Sequence, residues 1–333
     1  MLEQAQDLGG GVRKVRCPDI WNEIAPRVRA VFSAFYEEPT PVGLYPHFNE
    51  VALRLTMLGA VPELVAFQRA VTELQKAGGR AFVIDDLHLR DRAPAERNQL
   101  LYALCLALGF LTPSTQRQAT LLWDVKERPV REDRPATYSE HSAEADLHTD
   151  SQSYPVPEEL FALYVIHAAR CGGGASQFAS VDDIKQSLAE TAAGREAIDV
   201  LAQPFPFFIQ AGEAAGKSQV TTAPILAAKP AIRFRRDVIE QGLAARPDLA
   251  TPEVRRAFAT LVDVLTRRVR VVEYAVPDGG IVFCDNHAML HGRTRYDDKA
   301  RHLLRMRMSA QPIAVNMVMI LKQNPAFAQA LLG

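Results

Sequence analysis

The spacing of apolar positions predicts helices in the first third of the chain. Across residues 19–38, apolar side chains recur every three or four positions, the pattern of a helix with one buried stripe. Residues 49–76 repeat this pattern with an interruption by glycine and proline, and residues 94–108 end at a glycine. A short apolar run at 80–85 predicts a strand between these helices. We therefore expect residues 1–110 to form a helical support region.

Beyond residue 120 the pattern changes to short apolar or alternating runs separated by turn residues, which indicates strands. The predicted strands span residues 121–125, 159–168, 176–181, 268–276, 281–283 and 302–309. Two helical patterns, at 182–201 and 252–268, interrupt this series. The prediction is a mainly β chain, with an antiparallel core, flanking N-terminal helices and a helical insertion.

No break in composition divides the chain, so we expect a single domain over residues 1–333. Its core would comprise residues 111–181 and 269–310, and its insertion residues 182–268. Within the insertion, residues 211–228 are rich in Gly, Ala and Thr and lack periodicity, which is typical of a loop or mobile lid.

Composition is that of an ordinary globular protein: 48% of the 333 residues are hydrophobic and 23% charged. The net charge of −1 favours neither nucleic acid nor an anionic membrane as a partner, so we expect a small-molecule ligand. The four cysteines are widely spaced, which argues against a disulfide framework or a zinc knuckle. We find no signal-peptide pattern and no apolar run of the roughly 18 residues that a membrane helix needs, so we expect a cytoplasmic protein.

Candidate metal chemistry begins with His148 and Asp150. On an extended segment, side chains two positions apart share a face, so both could reach one ion. Two imidazoles and one carboxylate form the triad of non-haem Fe(II) oxygenases, which leaves coordination positions open. The alternative interpretation of this pair is a polar strand end before a turn.

His287 and His291 are the candidates for a third ligand. On a helix, the two could together hold zinc, as in metalloproteases, and act in a hydrolase. Against this, Ala288 stands where that motif needs its glutamate, and the glycines around the segment favour strand and loop. We therefore favour His291 as the partner of His148 and Asp150.

Arg301 and Arg305 would share one face of the predicted strand at 302–309 and its approach. An arginine directed into a β core is costly unless it is paired, and a carboxylate is its natural bidentate partner. A solvated face or a structural ion pair is the alternative.

Taken together, these segments resemble the Fe(II)/2-oxoglutarate dioxygenase superfamily, in the branch of taurine dioxygenase and clavaminate synthase. That branch includes bacterial arginine and asparagine hydroxylases. The resemblance covers roughly residues 115–308 and rests on the order and spacing of five elements. These are Gln116 through Val125, Leu147–Asp150, Gly173–Ser176, Asp285–Arg293 and the arginine pair.

The resemblance implies a double-stranded β-helix, or jelly-roll, core with iron bound by His148, Asp150 and His291. It also implies that Ser176 and Arg301 bind the distal carboxylate of 2-oxoglutarate. By the same resemblance, Arg305 would hold an acidic group of the substrate, and Gln116 would contact the amino acid part of the substrate.

The activity so implied uses Fe(II), 2-oxoglutarate and O2 to hydroxylate an unactivated C–H bond of a free or derivatised amino acid, releasing succinate and CO2. Desaturation or cyclisation is possible at the same site. Many clavaminate-synthase-like members have Glu where this chain has Asp150. Halogenases of the superfamily have a small residue there, so Asp150 argues against halogenation.

Arginine hydroxylases hold the substrate guanidinium with acidic residues of the insertion, whereas residues 232–237 of this chain are basic. This suggests that the far end of the substrate is not a free cation, unless the run is simply solvated. Two other functions stay open: a zinc hydrolase using His287 and His291, and a non-catalytic jelly-roll binding protein. The latter has no need for Asp150, Arg301 and Ser176 together.

Overall fold

The computed structural model describes residues 2–37, 47–113, 120–129, 137–209, 219–313 and 315. Numbered in chain order, its helices are α1 (Trp21–Phe35), α2 (Glu50–Ala60), α3 (Pro62–Lys76), α4 (Pro94–Leu108), α5 (Val181–Ala189), α6 (Ala192–Leu201), α7 (Arg236–Ala245) and α8 (Pro252–Arg267). Its strands are β1 (Glu3–Gly9), β2 (Val12–Arg16), β3 (Ala81–Ile84), β4 (Phe110–Thr112), β5 (Trp123–Val125), β6 (Ala145–His148), β7 (Leu160–His167), β8 (Ser176–Ser180), β9 (Pro204–Ile209), β10 (Gln219–Pro224), β11 (Val272–Tyr274), β12 (Ile281–Asp285), β13 (Met289–Arg293) and β14 (His302–Ser309).

Two sheets form the core. The larger has the order β1-β2-β3-β12-β7-β14-β4, with β5 also paired to β14, and the smaller has the order β11-β8-β13-β6. Pairing is antiparallel except between β2 and β3. Apolar side chains from both sheets, including Phe161 and Val282 of the larger and Phe178 and Met289 of the smaller, pack in one cluster. This arrangement confirms the predicted mainly β, jelly-roll-type core.

The outer faces of the two sheets are covered by different helices. The N-terminal helices pack on the larger sheet, where Trp21 and Phe67 share a cluster with Phe283 of β12. Residues 181–267 pack on the smaller sheet, where Phe205 and Leu261 share a second cluster with Leu290 of β13. Successive residues of a strand point to opposite faces of its sheet. One face packs into the cluster between the sheets, and the other packs against the helices.

The first 110 residues are not purely helical, which corrects the predicted support region. Strand β3 matches the strand predicted at 80–85, whereas β1 and β2 were not predicted, and all three strands extend the larger sheet. The β1–β2 hairpin carries many charged side chains. Its turn contains Gly9, Gly10 and Gly11, whose φ angles are +89°, +53° and +76°. Because an edge hairpin of this kind buries few side chains, its apolar pattern is too weak to reveal it.

The insertion also differs in detail from the sequence-based expectation. The helical run at 182–201 is divided into α5 and α6, and residues 219–224 of the expected loop form β10, which pairs with β9. Only the middle of the predicted strand at 268–276 is extended, as β11. Among the described helices, none has both the length and the apolar character needed to cross a bilayer.

Candidate active site

The three predicted metal ligands meet where the smaller sheet faces the larger one. His148 ends β6, and the antiparallel register of β6 and β13 places His291 directly opposite, with ring centroids 4.2 Å apart. Asp150 follows two residues later, and its Oδ1 lies 3.9 Å from Nε2 of His148. One ligand atom from each residue lies within 4.8 Å of the other two. All three side chains are buried, so this polar group is set into the core rather than on its rim.

The hydrogen bonds of the histidines leave nitrogen atoms available for a metal. Nδ1 of His148 lies 2.7 Å from the carbonyl oxygen of Asp146. Because a carbonyl only accepts, Nδ1 carries the proton and the lone pair on Nε2 faces the site. Within the described part of the chain, Nδ1 of His291 is buried without a hydrogen-bond partner, and Oδ2 of Asp150 accepts no hydrogen bond but forms an ion pair with Arg305. Such incompletely satisfied buried atoms fit a site built for an ion, and two imidazoles with one carboxylate suit Fe(II).

The protonation states of the triad also suit metal binding. Burial lowers the pKa of His148 to about 4 and moves the pKa of His291 well below its ordinary value. Burial alone would raise the pKa of Asp150, but the neighbouring positive charges, that of Arg305 foremost and that of Arg307 with it, together outweigh burial and hold that pKa below its ordinary value. Near neutral pH the site therefore offers two neutral imidazoles and one carboxylate.

A cavity lies beside the triad, and Ser176, Arg301 and Arg305 line it. Arg301 is only 4% exposed, and its guanidinium stacks on Tyr296 at 4.8 Å. Its Nη2 donates to the carbonyl of Gly174 at 3.4 Å, while Nη1 is buried with no acceptor among the described residues. Burial lowers the pKa of Arg301 to about 10, so it is still a cation at neutral pH. A buried cation with an unused donor is suited to binding a carboxylate.

Arg305 lies on β14, the strand that begins directly after Arg301, and it is closer to the triad. Its Nη1 is 3.3 Å from Oδ2 of Asp150, and its side chain is 20% exposed. The structure therefore places Arg305 between the carboxylate of the triad and the cavity, where it could also contact an anionic group of a bound ligand.

Comparison with known families agrees with this geometry. The family model for the taurine catabolism dioxygenase TauD, TfdA family matches residues 69–307. The chain belongs to this dioxygenase family. No curated protein matches the sequence significantly.

Two of the solved proteins whose structures resemble this TauD/TfdA-family protein are oxygenases with bound iron. The oxygenase OrfP, in complex with Fe and α-ketoglutaric acid, has a TM-score of 0.61 at 18% identity, over 90% of this chain and 94% of that chain. An asparagine oxygenase, in complex with Fe(II), 3-hydroxyasparagine and succinate, has a TM-score of 0.66 at 14% identity, over 92% and 96% of the two chains. OrfP with Fe, succinate and (3S)-hydroxy-L-Arg gives 0.62 at 19% identity, over 90% and 94%. At these identities the likeness concerns the fold.

His287 is not part of the triad, which removes the basis for the zinc hydrolase alternative in this TauD/TfdA-family protein. It precedes β13 in a turn, so it does not share a helix face with His291. Its Nε2 lies 3.1 Å from the carbonyl of Pro157. Among the described residues, the group with metal-ligand geometry consists of His148, Asp150 and His291.

The basic run at 232–237 is neither a simple solvated surface nor a set of free cations. Arg233 donates to the carbonyls of Gln152 and Pro155, and burial lowers its pKa to about 10. Arg235 forms a two-point ion pair with Asp237, and Arg236 pairs with Glu240. Arg235 also lies 4.5 Å from the ring of Tyr138. The charge at the far end of the substrate therefore stays a prediction.

Several residues of the site were not predicted as functional. The ring of Phe161 lies 4.2 Å from that of His291, and Tyr138, which lines the cavity, lies 4.8 Å from His148. Arg293 is buried and donates to the carbonyls of Tyr138 and His141, both at 2.9 Å. Arg293 stands two positions after His291, so strand periodicity could have indicated that both side chains point to one face.

Two predictions fall wholly or partly outside the described residues. Gln116, the predicted contact for the amino acid part of a substrate, lies in the gap at 114–119. The candidate lid is described only from residue 219 onward, where it forms β10.

Proposed function

We propose that this TauD/TfdA-family protein is an Fe(II)- and 2-oxoglutarate-dependent oxygenase that hydroxylates a free or derivatised amino acid. One observation carries the proposal: the two histidines of a buried His-Asp-His group line the same cavity as a buried arginine with an unused donor. The first suits iron, and the second suits the carboxylate of a cosubstrate.

In this proposal, His148, Asp150 and His291 hold Fe(II). Their donor atoms, burial and protonation states fit a divalent iron site with open coordination positions. Iron, 2-oxoglutarate and O2 would together supply the oxidant for an unactivated C–H bond, with succinate and CO2 as coproducts. Asp146 holds the proton of His148 on Nδ1 through its carbonyl, and this keeps Nε2 directed at the metal.

Arg301 and Ser176 would bind the distal carboxylate of 2-oxoglutarate. Arg301 offers its buried Nη1, and Ser176 offers a hydroxyl from β8 in the same cavity. Phe161 and Leu303 line the cavity between these groups and would exclude water from the methylene carbons of the cosubstrate.

Arg305 would bind an acidic group of the substrate, and Gln116 would contact its amino acid part. Support for an amino acid substrate comes from the similar fold of OrfP and the asparagine oxygenase, whose structures contain hydroxylated arginine and hydroxyasparagine. Hydroxylation is the proposed outcome, with desaturation or cyclisation as alternatives at the same site. We further propose a cytoplasmic location, which agrees with four cysteines that form no disulfide in the structure.

The decisive experiment is an anaerobic optical titration of metal-free protein with Fe(II) and then 2-oxoglutarate. We expect a weak visible charge-transfer band that changes when the true substrate is added. Candidate amino acids that change the band would then be tested in air for succinate release and a product heavier by one oxygen atom.

The absence of this band at saturating Fe(II) and 2-oxoglutarate would refute the proposal. Turnover that needs zinc, proceeds without O2 and is not stimulated by 2-oxoglutarate would instead support a hydrolase. Ligand binding with neither behaviour would support a binding protein.

A further inference from the structure

The loop that follows Asp150 begins and ends beside the turn between β12 and β13. Residues 151–159 connect Asp150 to β7, and the backbone N–H of Asn286 donates to the carbonyl of Glu159 at 2.8 Å. The loop begins at Ser151 with a φ of +53°, a left-handed conformation that a non-glycine residue adopts only when its surroundings impose it.

The side chain of Asn286 holds both ends of this loop. Its Oδ1 accepts from the N–H of Asp150 at 2.7 Å, and its Nδ2 donates to the carbonyl of the same residue at 3.0 Å. Nδ2 also donates to the carbonyl of Glu158 at 2.9 Å. Because an N–H must donate and a carbonyl must accept, these partners fix the orientation of the amide. Asn286 is 2% exposed, so water cannot easily replace it.

Other side chains hold the middle of the loop from outside. His287, from the same turn as Asn286, contacts the carbonyl of Pro157. Arg233 donates to the carbonyls of Gln152 and Pro155, and Arg307 donates to the hydroxyl of Ser151 at 2.7 Å. The loop is thus fixed along its length, and Asn286 is the member of this group that contacts Asp150 itself through hydrogen bonds to its backbone.

We propose that Asn286 is a positioning residue that fixes the backbone of Asp150 and thereby aims its carboxylate at the metal. This inference rests on the proposed function. Neither amide atom of Asn286 has a hydrogen bond to the carboxylate in the structure, so its influence passes through the peptide groups on either side of the Asp150 side chain. Without Asn286, the buried N–H and carbonyl of Asp150 would each lack a partner, and the loop would turn to satisfy them. The protein would then bind the metal more weakly, because the Asp150 carboxylate would have to be reoriented on binding.

The test is titration of metal-free protein with Co(II), an oxygen-stable substitute for Fe(II), by calorimetry and visible absorption. We expect Asn286→Ala to weaken Co(II) binding by about 10- to 100-fold and to change the ligand-field spectrum. The matched control is Ser180→Ala, which also removes a buried side-chain acceptor of a backbone N–H, that of Asp183, but does not touch the loop. It should lower stability without changing the Co(II) Kd or spectrum.

A second variant covers the case in which Asn286→Ala does not fold. Asn286→Asp keeps an acceptor for the N–H of Asp150 but loses both donors, and it too should weaken Co(II) binding and alter the spectrum. Independently of any variant, the amide of Asp150 in the metal-free wild-type protein should be protected from hydrogen exchange, because Oδ1 of Asn286 already holds it.

The outcomes separate this inference from the proposed function. Wild-type protein that binds neither Co(II) nor Fe(II) would refute the proposed function. Wild-type binding with unchanged Kd and spectrum in a folded Asn286 variant would refute only the positioning role. Rapid exchange of the Asp150 amide in the wild-type protein would refute it as well, because the carboxylate would then not be held in place before the metal arrives.

Discussion

At the scale of single residues, the site combines groups that are unfavourable in a core unless a ligand joins them. The triad is buried, and burial holds its histidines neutral. Arg301 is buried with an unused donor beside Tyr296. Each of these features costs free energy in the empty protein, and each would be offset by a metal or a carboxylate. The roles of these residues can be tested one at a time.

Asp150→Ala should abolish both metal binding and iron-dependent oxidation, because it removes the one carboxylate of the triad. The fold should persist with reduced stability, because Arg305 loses the carboxylate that lies 3.3 Å from its guanidinium. Co(II) titration and succinate release would measure the loss. Asp199→Ala, which removes an exposed carboxylate of α6, is the control and should behave as wild type. Oxidation by Asp150→Ala at the wild-type rate would remove Asp150 from the ligand set.

Arg301→Ala should raise the KM for 2-oxoglutarate about 100-fold or more, because a buried charge-assisted pair would be lost. The KM for the amino acid substrate should change much less. Steady-state kinetics with each substrate varied in turn would show the difference, with Arg256→Ala on the exposed face of α8 as control. If the KM for 2-oxoglutarate stayed the same, another residue would have to bind that carboxylate.

The stability of the metal-free protein should fall as the pH is lowered from 7 to 5. The pKa of His148 is about 4 in the folded protein and 6.5 as its ordinary value. Between these values the unfolded chain binds a proton that the folded chain does not, so acid favours unfolding. His148 alone should contribute roughly 2 kcal/mol over this range. Urea unfolding with a chelator present would measure it, and His148→Gln should show a smaller pH dependence. An equal slope in both proteins would contradict the assignment.

At the scale of elements, turns position the site as much as strands do. The register of β6 and β13 sets His148 opposite His291, but the turn at 286–288 holds Asp150, and the turn at 171–175 supports Arg301. Gly174 has a φ of +79°, and a Cβ there would lie 2.9 Å from Nε of Arg301. A glycine is therefore required at this position for two separate reasons.

Gly174→Ala should lower stability by about 1 kcal/mol and also raise the KM for 2-oxoglutarate, because the new methyl group displaces Arg301. Gly172→Ala is a matched control: its φ is +80°, but a Cβ there would meet nothing within 4 Å. It should lose similar stability and keep the wild-type KM. Equal KM changes in both variants would mean that the turn, rather than the contact with Arg301, controls cosubstrate binding.

The elements also show where apolar pattern succeeds and where it fails. Helices with one buried stripe, such as α1 and α8, and largely buried strands, such as β7 and β12, follow their predicted positions within a few residues. The charged hairpin β1–β2 and the pair β9–β10 were missed. Their strands are stabilised by pairing with neighbours, which a local pattern does not record.

At the scale of the whole molecule, a bound metal should raise the free energy of unfolding. The triad lies between the sheets and beside the long loop that enters β7. Co(II) at about 100 times its Kd should therefore stabilise the folded protein by about 2.7 kcal/mol. Thermal unfolding with and without Co(II) would show the higher Tm, and a chelator should reverse it. Asp150→Ala should show no shift. A shift of the same size in that variant would place the stabilising metal elsewhere.

The division of the chain into a core, an N-terminal support region and an insertion is consistent with the way the clusters pack. That residues 1–333 form a single domain, and that residues 211–228 act as a lid, stay predictions. The same holds for Gln116, because its segment is not described.

The sequence by itself determined the mainly β core, the flanking helices and the residue types that could bind iron, because burial periodicity and ligand chemistry are local properties. It also allowed His287 and His291 as rivals and suggested a role for the basic run at 232–237. Only the tertiary structure decided between the two histidines, since strand register sets His291 against His148 while a turn directs His287 to the carbonyl of Pro157. The hydrogen bonds between Asn286 and the backbone of Asp150 could not be predicted from the sequence for the same physical reason. Residues distant in sequence meet only after the strands between them have paired.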